Sequence, residues 1–187
     1  MTKNLKIGSL FSGIGGLELG LEMAGAGETV WQVEQEPFCQ AVLQKHWPKA
    51  ELHDDVTTAD NLPYVDLICG GFPCQGLSVA GKKKGLDDER SNLFYDLMRI
   101  VRSVGPKYII LENSPHLVNR ALEPVLSEIR EAGYDATWAI VSAADAGLPH
   151  LRKRWFLIAW RRDLADPDRV AIWDHKQRQE ARRLSLQ

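Results

Sequence analysis

The chain has 187 residues, of which 44% are hydrophobic and 26% charged, with a formal net charge of −2. That suits one domain with a sizeable core and excludes intrinsic disorder, and the apolar runs are too short and too broken by charge to span a membrane. Three cysteines (Cys39, Cys69 and Cys74) exclude a disulfide framework, and the opening MTKNLKIGSLF lacks the apolar stretch of a secretion signal, so a reducing, cytoplasmic setting is expected.

The charge is unevenly spread. Residues 1–80 carry −6, residues 81–150 carry −1 and residues 151–187 carry +5. Local basic clusters, more than the mean, decide whether a protein meets phosphate.

In chain order, short β-rich runs alternate with amphipathic helical stretches. The spacing predicts strands over Lys6–Phe11, Thr29–Glu34, Glu51–His53, Val65–Cys69, Tyr108–Glu112, Ala136–Ser142 and Trp155–Trp160. Helices are predicted near Gly16–Ala24, Pro37–His46, Leu93–Val104 and Leu122–Ala132. Pro37 fits a first helical turn, and Gly105-Pro106 stops the third helix. The pattern implies an α/β fold, a mostly parallel sheet with helices on both faces. No helix-length insert separates the last two strands, so they should form an antiparallel pair. The long irregular segment Gly70–Asn92 leaves the carboxyl end of a strand, where open α/β sheets bind ligands.

Four groups of residues suggest chemistry. The first strand runs into Phe11-Ser12-Gly13-Ile14-Gly15-Gly16, a glycine turn that brings backbone close to a ligand. Glu18 occupies the place of the third glycine of a dinucleotide fingerprint, so the turn is of another kind. Glu34 ends the second strand at the distance where an acid accepts ribose hydroxyls, and Asp55 follows the third. Singly, each reads better as a surface carboxylate; together, at successive strand ends, they favour an adenosine-containing cofactor.

Cys74 opens the long loop behind Pro73, whose ring fixes the backbone and would hold a thiol at the sheet rim. Cys39 and Cys69 read as small buried hydrophobes. Glu112 ends the strand YIILEN at the same rim, as an acid or as a cap for the next helix. Arg152 and Arg154 precede the last strand on one face, where two guanidiniums suit a base carbonyl and a phosphate.

Taken in order, these segments resemble the DNA cytosine-5 methyltransferase family. FSGIGG is similar to its cofactor loop, VEQEPFC to its ribose-binding acid and HDDVT to its adenine segment. GGFPCQGLSVAGKKKGLDDERSNLFYDLMRIV resembles its catalytic loop and following helix, YIILENSPHL its Glu-Asn motif, and AGLPHLRKRWFLIA its Arg-x-Arg motif. The resemblance covers about residues 5–160. It implies a Rossmann-like, S-adenosylmethionine-dependent fold and methyl transfer to cytosine in double-stranded DNA, as in restriction–modification systems. Cys74 would be the nucleophile, Glu112 would hold the base N3, and Arg154 with Arg152 would contact its O2. Phe11, Gly13, Gly15, Glu34, Asp55 and Val56 would line the adenosine side of the cofactor, and Pro73 and Leu93 the methionine side.

The sequence departs from the family pattern at Ser114, His150 and Gln35. Residues 1–162 form the expected catalytic domain. Residues 163–187 read as a polar tail beginning a recognition domain that the family carries beyond this point. That leaves open a split enzyme completed by a second polypeptide, a truncated remnant, and a non-catalytic binding subunit. The intact Cys74, Glu112 and Arg154 count against the last of these. Methylation of RNA instead of DNA is also open.

Overall fold

The computed structural model describes residues 4–73 and 92–164. Seven strands form one sheet: β1 (Leu5–Leu10), β2 (Gly27–Val33), β3 (Glu51–His53), β4 (Leu67–Gly70), β5 (Tyr108–Asn113), β6 (Tyr134–Ser142) and β7 (Lys153–Arg161). Their order is β3-β2-β1-β4-β5-β7-β6. The first five run parallel, and β7 is antiparallel to both its neighbours. The sequence-based strands all recur with ends shifted by no more than two residues. Phe11 and Glu34 fall just past their strands, Phe11 because its φ turns to +55°.

Helices α1 (Gly16–Met23), α2 (Pro37–His46), α3 (Asn92–Val104) and α5 (Leu122–Glu131) match their predicted spans closely. Between β5 and α5 lies α4 (Leu117–Arg120), too short to leave a periodic signature. A 3₁₀ turn at Ala143–Ala146 carries a reciprocal Ser142–Asp145 capping box.

The alternation of β5 shows how the layers form. Ile109 and Leu111 are fully buried against the α3 and α5 side, which also holds Phe94, Leu97, Met98, Val125 and Ile129. On the other face Ile7, Leu67 and Cys69 pack beneath Leu17 and Leu21 of α1. Helices therefore cover both faces, as expected. Beyond α1, Tyr108, Ile110, Ile158 and Trp160 share that second face and stay half-buried. No helix among the described residues is long and apolar enough to cross a membrane.

The β5–β6–β7 corner is closed by Tyr134, 3% exposed, whose hydroxyl donates to the Pro106 carbonyl at 2.7 Å. Burial pushes its phenol up to about 12 from the ordinary 10.0. The folded state therefore holds this proton more tightly than the unfolded chain. The resulting stability is complete below pH about 10 and is lost as pH rises through about 12. Two units correspond to ~2–3 kcal/mol. Alkaline unfolding monitored by circular dichroism should show that loss, and Tyr134→Phe should be less stable near neutrality yet lack the Tyr134 share of the alkaline decline.

Candidate active site

The strand order reverses between β1 and β4, since β1 leads on one side to β2 and β3 and β4 leads on the other to β5. Such a switch point leaves a crevice beyond the carboxyl ends of the strands. An open cleft of about 340 Å³ lies there, lined by Ser9, Phe11, Ser12, Gly16, Leu17 and Glu18 on one side and by Gly70, Gly71, Glu112 and Phe156 on the other.

The β1 side is built from the glycine turn. Phe11, Gly13 and Gly15 have φ of +55°, +56° and +84°. The turn thus curls back on itself before α1 begins, and at Gly13 a Cβ would meet nothing within 4 Å. Ser12 holds it to the sheet through its N–H to the Val33 carbonyl at 3.2 Å and its hydroxyl to Ser9 Oγ at 2.9 Å. Glu34 fixes it from β2. Its Oε2 accepts the Gly13 N–H at 2.6 Å and its Oε1 the Glu36 N–H at 2.8 Å. Each carboxylate oxygen keeps lone-pair capacity for a further donor, such as a hydroxyl.

At the end of β3, Asp55 opens a helical turn. Its Oδ1 accepts both the N–H and the hydroxyl of Thr57 at 2.8 Å. Val56, 5% exposed, belongs to the main core. It forms a floor beneath that end of the sheet.

The β4 side carries the groups expected to do chemistry. Register pairs Gly70 with Leu111 and so brings Gly71 to the level of Glu112. A Cβ on Gly71 would stand 3.1 Å from Glu112 Oε2. Glu112 Oε1 is held by Arg154 Nε at 2.7 Å, both side chains being about 30% exposed. Arg152 takes a different place. It precedes β7, is exposed, and its carbonyl accepts the Ala143 N–H at 2.9 Å. Of the two arginines, Arg154 is the one that meets Glu112.

Phe72 and Pro73 continue from β4. Phe72 is buried, its ring 5.0 Å from that of Phe94 on α3, one residue beyond the half-buried Leu93. Asn113, 4% exposed, donates from Nδ2 to the Phe72 carbonyl at 2.8 Å, and its Oδ1 accepts the Ser114 N–H at 2.7 Å. One side chain thus clamps the start of the long loop to the end of β5. Cys74 itself, with the lysines at 82–84 and the tail from 165, lies outside the described residues.

Of the other cysteines, Cys69 is buried as expected, whereas Cys39, on the first turn of α2, is only half-buried. Cys69 is fully buried, and burial, with the charge of Glu18 adding to it, pushes its thiol far up. Cys39 is raised too, by burial and then by Glu34 and Glu36. Thiolates are the reactive form, so both are poor nucleophiles at neutral pH.

Two features escaped the sequence reading. Asn113 stood in a recognised motif with no part assigned, though a buried asparagine at a strand end needs partners for four hydrogen bonds. Glu18, fully buried under α1, reaches Gln32 Nε2 at 3.4 Å while its Oε2 has no partner among the described residues. Its place in the first turn of α1 sets the carboxylate against the positive end of the helix dipole. The signal was there in the missing third glycine.

Comparison with known proteins gives the family. The profile of the C-5 cytosine-specific DNA methylases matches residues 5–185. The chain belongs to this family. It is 38% identical over 163 residues to the type II methyltransferase M2.BsuMI of Bacillus subtilis, covering 83% of this chain and 42% of that protein. It is 36% identical to M.HhaI of Haemophilus parahaemolyticus, covering 86% and 50%. Against M.AquIA of a Picosynechococcus the identity is 35%, covering 83% and 72%. Among solved structures, a DNMT2 variant of Spodoptera frugiperda superposes with a TM-score of 0.71 at 26% identity, over 87% of this chain and 51% of the other. The fold is the Rossmann-like one of S-adenosylmethionine-dependent methyltransferases. The chain spans about half or less of the length of M2.BsuMI and M.HhaI.

For this methylase-family chain the Asn113 clamp is open to test. Asn113→Leu fills similar volume but strips the Phe72 carbonyl and the Ser114 N–H of their partner. Leaving buried polar groups unpaired costs about 1–3 kcal/mol. Urea denaturation should show a loss of that size, and proteolysis should cut sooner near Phe72.

Proposed function

We propose that the chain is the cofactor-binding and catalytic part of a DNA (cytosine-5-)-methyltransferase of the restriction–modification kind. The observation that carries this reading is the cleft at the β1–β4 switch point, lined by Phe11, Ser12 and Gly16 of the glycine turn on one side and by Gly71 and Glu112 on the other; Glu34 braces that turn and Arg154 holds Glu112.

S-adenosylmethionine suits the first half of that cleft. Glu34 offers two carboxylate oxygens to ribose hydroxyls, Phe11, Gly13 and Gly15 leave open backbone for the adenosine, and Asp55 and Val56 border its adenine end. Pro73 and Leu93 flank the methionine end. When bound, the cofactor supplies a methyl group on a positively charged sulfur.

The rest of the chemistry belongs to side chains. A cytosine turned out of a DNA duplex would enter beside Gly71, where a glycine leaves room against Glu112. The Cys74 thiolate would attack carbon 6, forming a C–S bond while Glu112 holds a proton at N3 and so takes up the charge that develops on the ring. Carbon 5 then becomes nucleophilic and receives the methyl group. Loss of the carbon 5 proton returns the electron pair and breaks the C–S bond, freeing Cys74. Covalent addition is the device that makes an electron-poor ring reactive. Arg154 steadies Glu112 through its Nε and is suited to contact the base O2, and the exposed Arg152, just before β7, would assist from outside the strand.

A second reading concerns what completes the enzyme. Residues 1–162 would form the catalytic domain, and 163–187 the start of a recognition unit. A second polypeptide would supply the base readout. The protein would then work in the cytoplasm on duplex DNA.

The nucleophile provides the test. A duplex with 5-fluorocytosine cannot lose a proton from carbon 5, so an active assembly should be trapped as a complex that survives denaturing electrophoresis. Cys74→Ser should give no complex and background methyl transfer while still binding cofactor. Equal trapping by the serine variant would overturn the assignment of Cys74.

A further inference from the structure

Arg99 has no part in the chemistry above, yet it makes more polar contacts to the Asp55–Asp60 turn than any other side chain described. It projects from the middle of α3. Its Nη2 donates to the carbonyls of Val56 at 2.8 Å and Thr57 at 3.3 Å. Its Nη1 donates to the Ala59 carbonyl at 3.1 Å and to Asp60 Oδ1 at 2.8 Å. Asp96, one turn earlier on α3, holds Nε at 3.5 Å and so orients the planar fork.

The target of these bonds is the helical turn that Asp55 opens. Its amides are satisfied from within, the Thr57 N–H by Asp55 Oδ1 and the Ala59 N–H by the Asp55 carbonyl at 2.9 Å. Its carbonyls are the orphan groups every helical end leaves, and a cation is the partner they favour. Arg99 caps three of them at once. Without that cap the turn hangs from β3, a strand of only three residues at the sheet edge.

We propose that Arg99 is a positioning residue for adenine recognition: from α3 it fixes the Asp55–Ala59 turn so that the Asp55 carboxylate stays where the exocyclic amino group of an adenine reaches it. Helix α3 also carries Leu93, six residues earlier, which the same reading assigns to the methionine side of the cofactor. On that reading one rigid helix serves both ends of the cofactor. A lysine cannot replace this function, because one ammonium cannot reach acceptors spread over Val56, Thr57 and Ala59 in a planar fan. The inference rests on the S-adenosylmethionine reading of the cleft.

The experiment measures binding of S-adenosylhomocysteine and of S-inosylhomocysteine, which carries a carbonyl in place of the 6-amino group, to the 187-residue chain by calorimetry. The original chain should prefer the adenine ligand by about tenfold, the ratio expected for one good hydrogen bond. Arg99→Leu and Arg99→Lys should both lose most of that preference, to within about twofold, through weaker binding of the adenine ligand alone. Thermal melting checks that both variants fold, and the lysine variant, which keeps the charge, covers the case where the leucine variant does not. A merely structural arginine would weaken both ligands equally and leave the ratio intact, and that result would overturn the proposal. Asp55→Ala and Glu34→Ala separate the two readings. If both bind as the original does, the cofactor reading fails and takes the proposal with it. If they weaken binding while the arginine variants keep their preference, the proposal alone fails.

Discussion

The parallel pairing of β1, β4 and β5 is the constraint on which the rest depends. Leu10 lies opposite Gly70, and Gly70 opposite Leu111. The glycine turn, the root of the long loop and Glu112 are therefore delivered to one level at one edge. β4 and most of β1 are buried on both faces and β5 on one, so a slip of one residue would turn apolar side chains such as Ile109 and Leu111 against the wrong layer. Hydrophobic burial thereby holds the spacing of groups that contribute nothing to the core. The reversal of strand order beside β1 then opens the gap between them.

A second layer of control comes from polar side chains that bond to backbone. Glu34 takes the Gly13 and Glu36 amides, Asn113 takes the Phe72 carbonyl, and Arg99 takes the carbonyls of the Asp55 turn. Each ties a loop to a rigid element. Pre-set geometry of this kind lowers the entropy that must be lost when reactants are brought together. Glu34 shows that bracing and binding need not be separate, since a carboxylate that organises the turn can still accept from a ligand. The Glu112–Arg154 pair does the same on the other side of the cleft, each partner orienting the other.

Much of this was legible in the sequence because periodicity and position report directly on burial. Alternation in YIILEN and RWFLIAW located β5 and β7, and the short link between β6 and β7 announced their antiparallel pairing. The twenty-one residues from Gly13 to Glu34 singled out Glu34 as an acid for ribose hydroxyls, whereas its 2.6 Å contact with the Gly13 N–H appears only in the fold. What stayed hidden depends on tertiary partners. Alternation put Arg152 and Arg154 on one face, but β7 begins between them, so only Arg154 is drawn to Glu112. Helix α4 is a single turn with no period to detect. Arg99 carries no motif or spacing that marks it, and only the fold brings residues 56–60 within its reach.

The central claim is that the carboxyl ends of β1, β2, β3 and β4 make one adenosine-binding edge. Titrating S-adenosylhomocysteine into the ¹⁵N-labelled chain and following backbone amide resonances tests it residue by residue. The amides of residues 11–16, 34–36, 55–59 and 70–71 should shift together along one binding curve. Those at the opposite edge, such as Ala26, Gly105 and Lys107, should stay in place. Shifts confined to the α5–β6 side, or no shifts at millimolar ligand, would contradict the account.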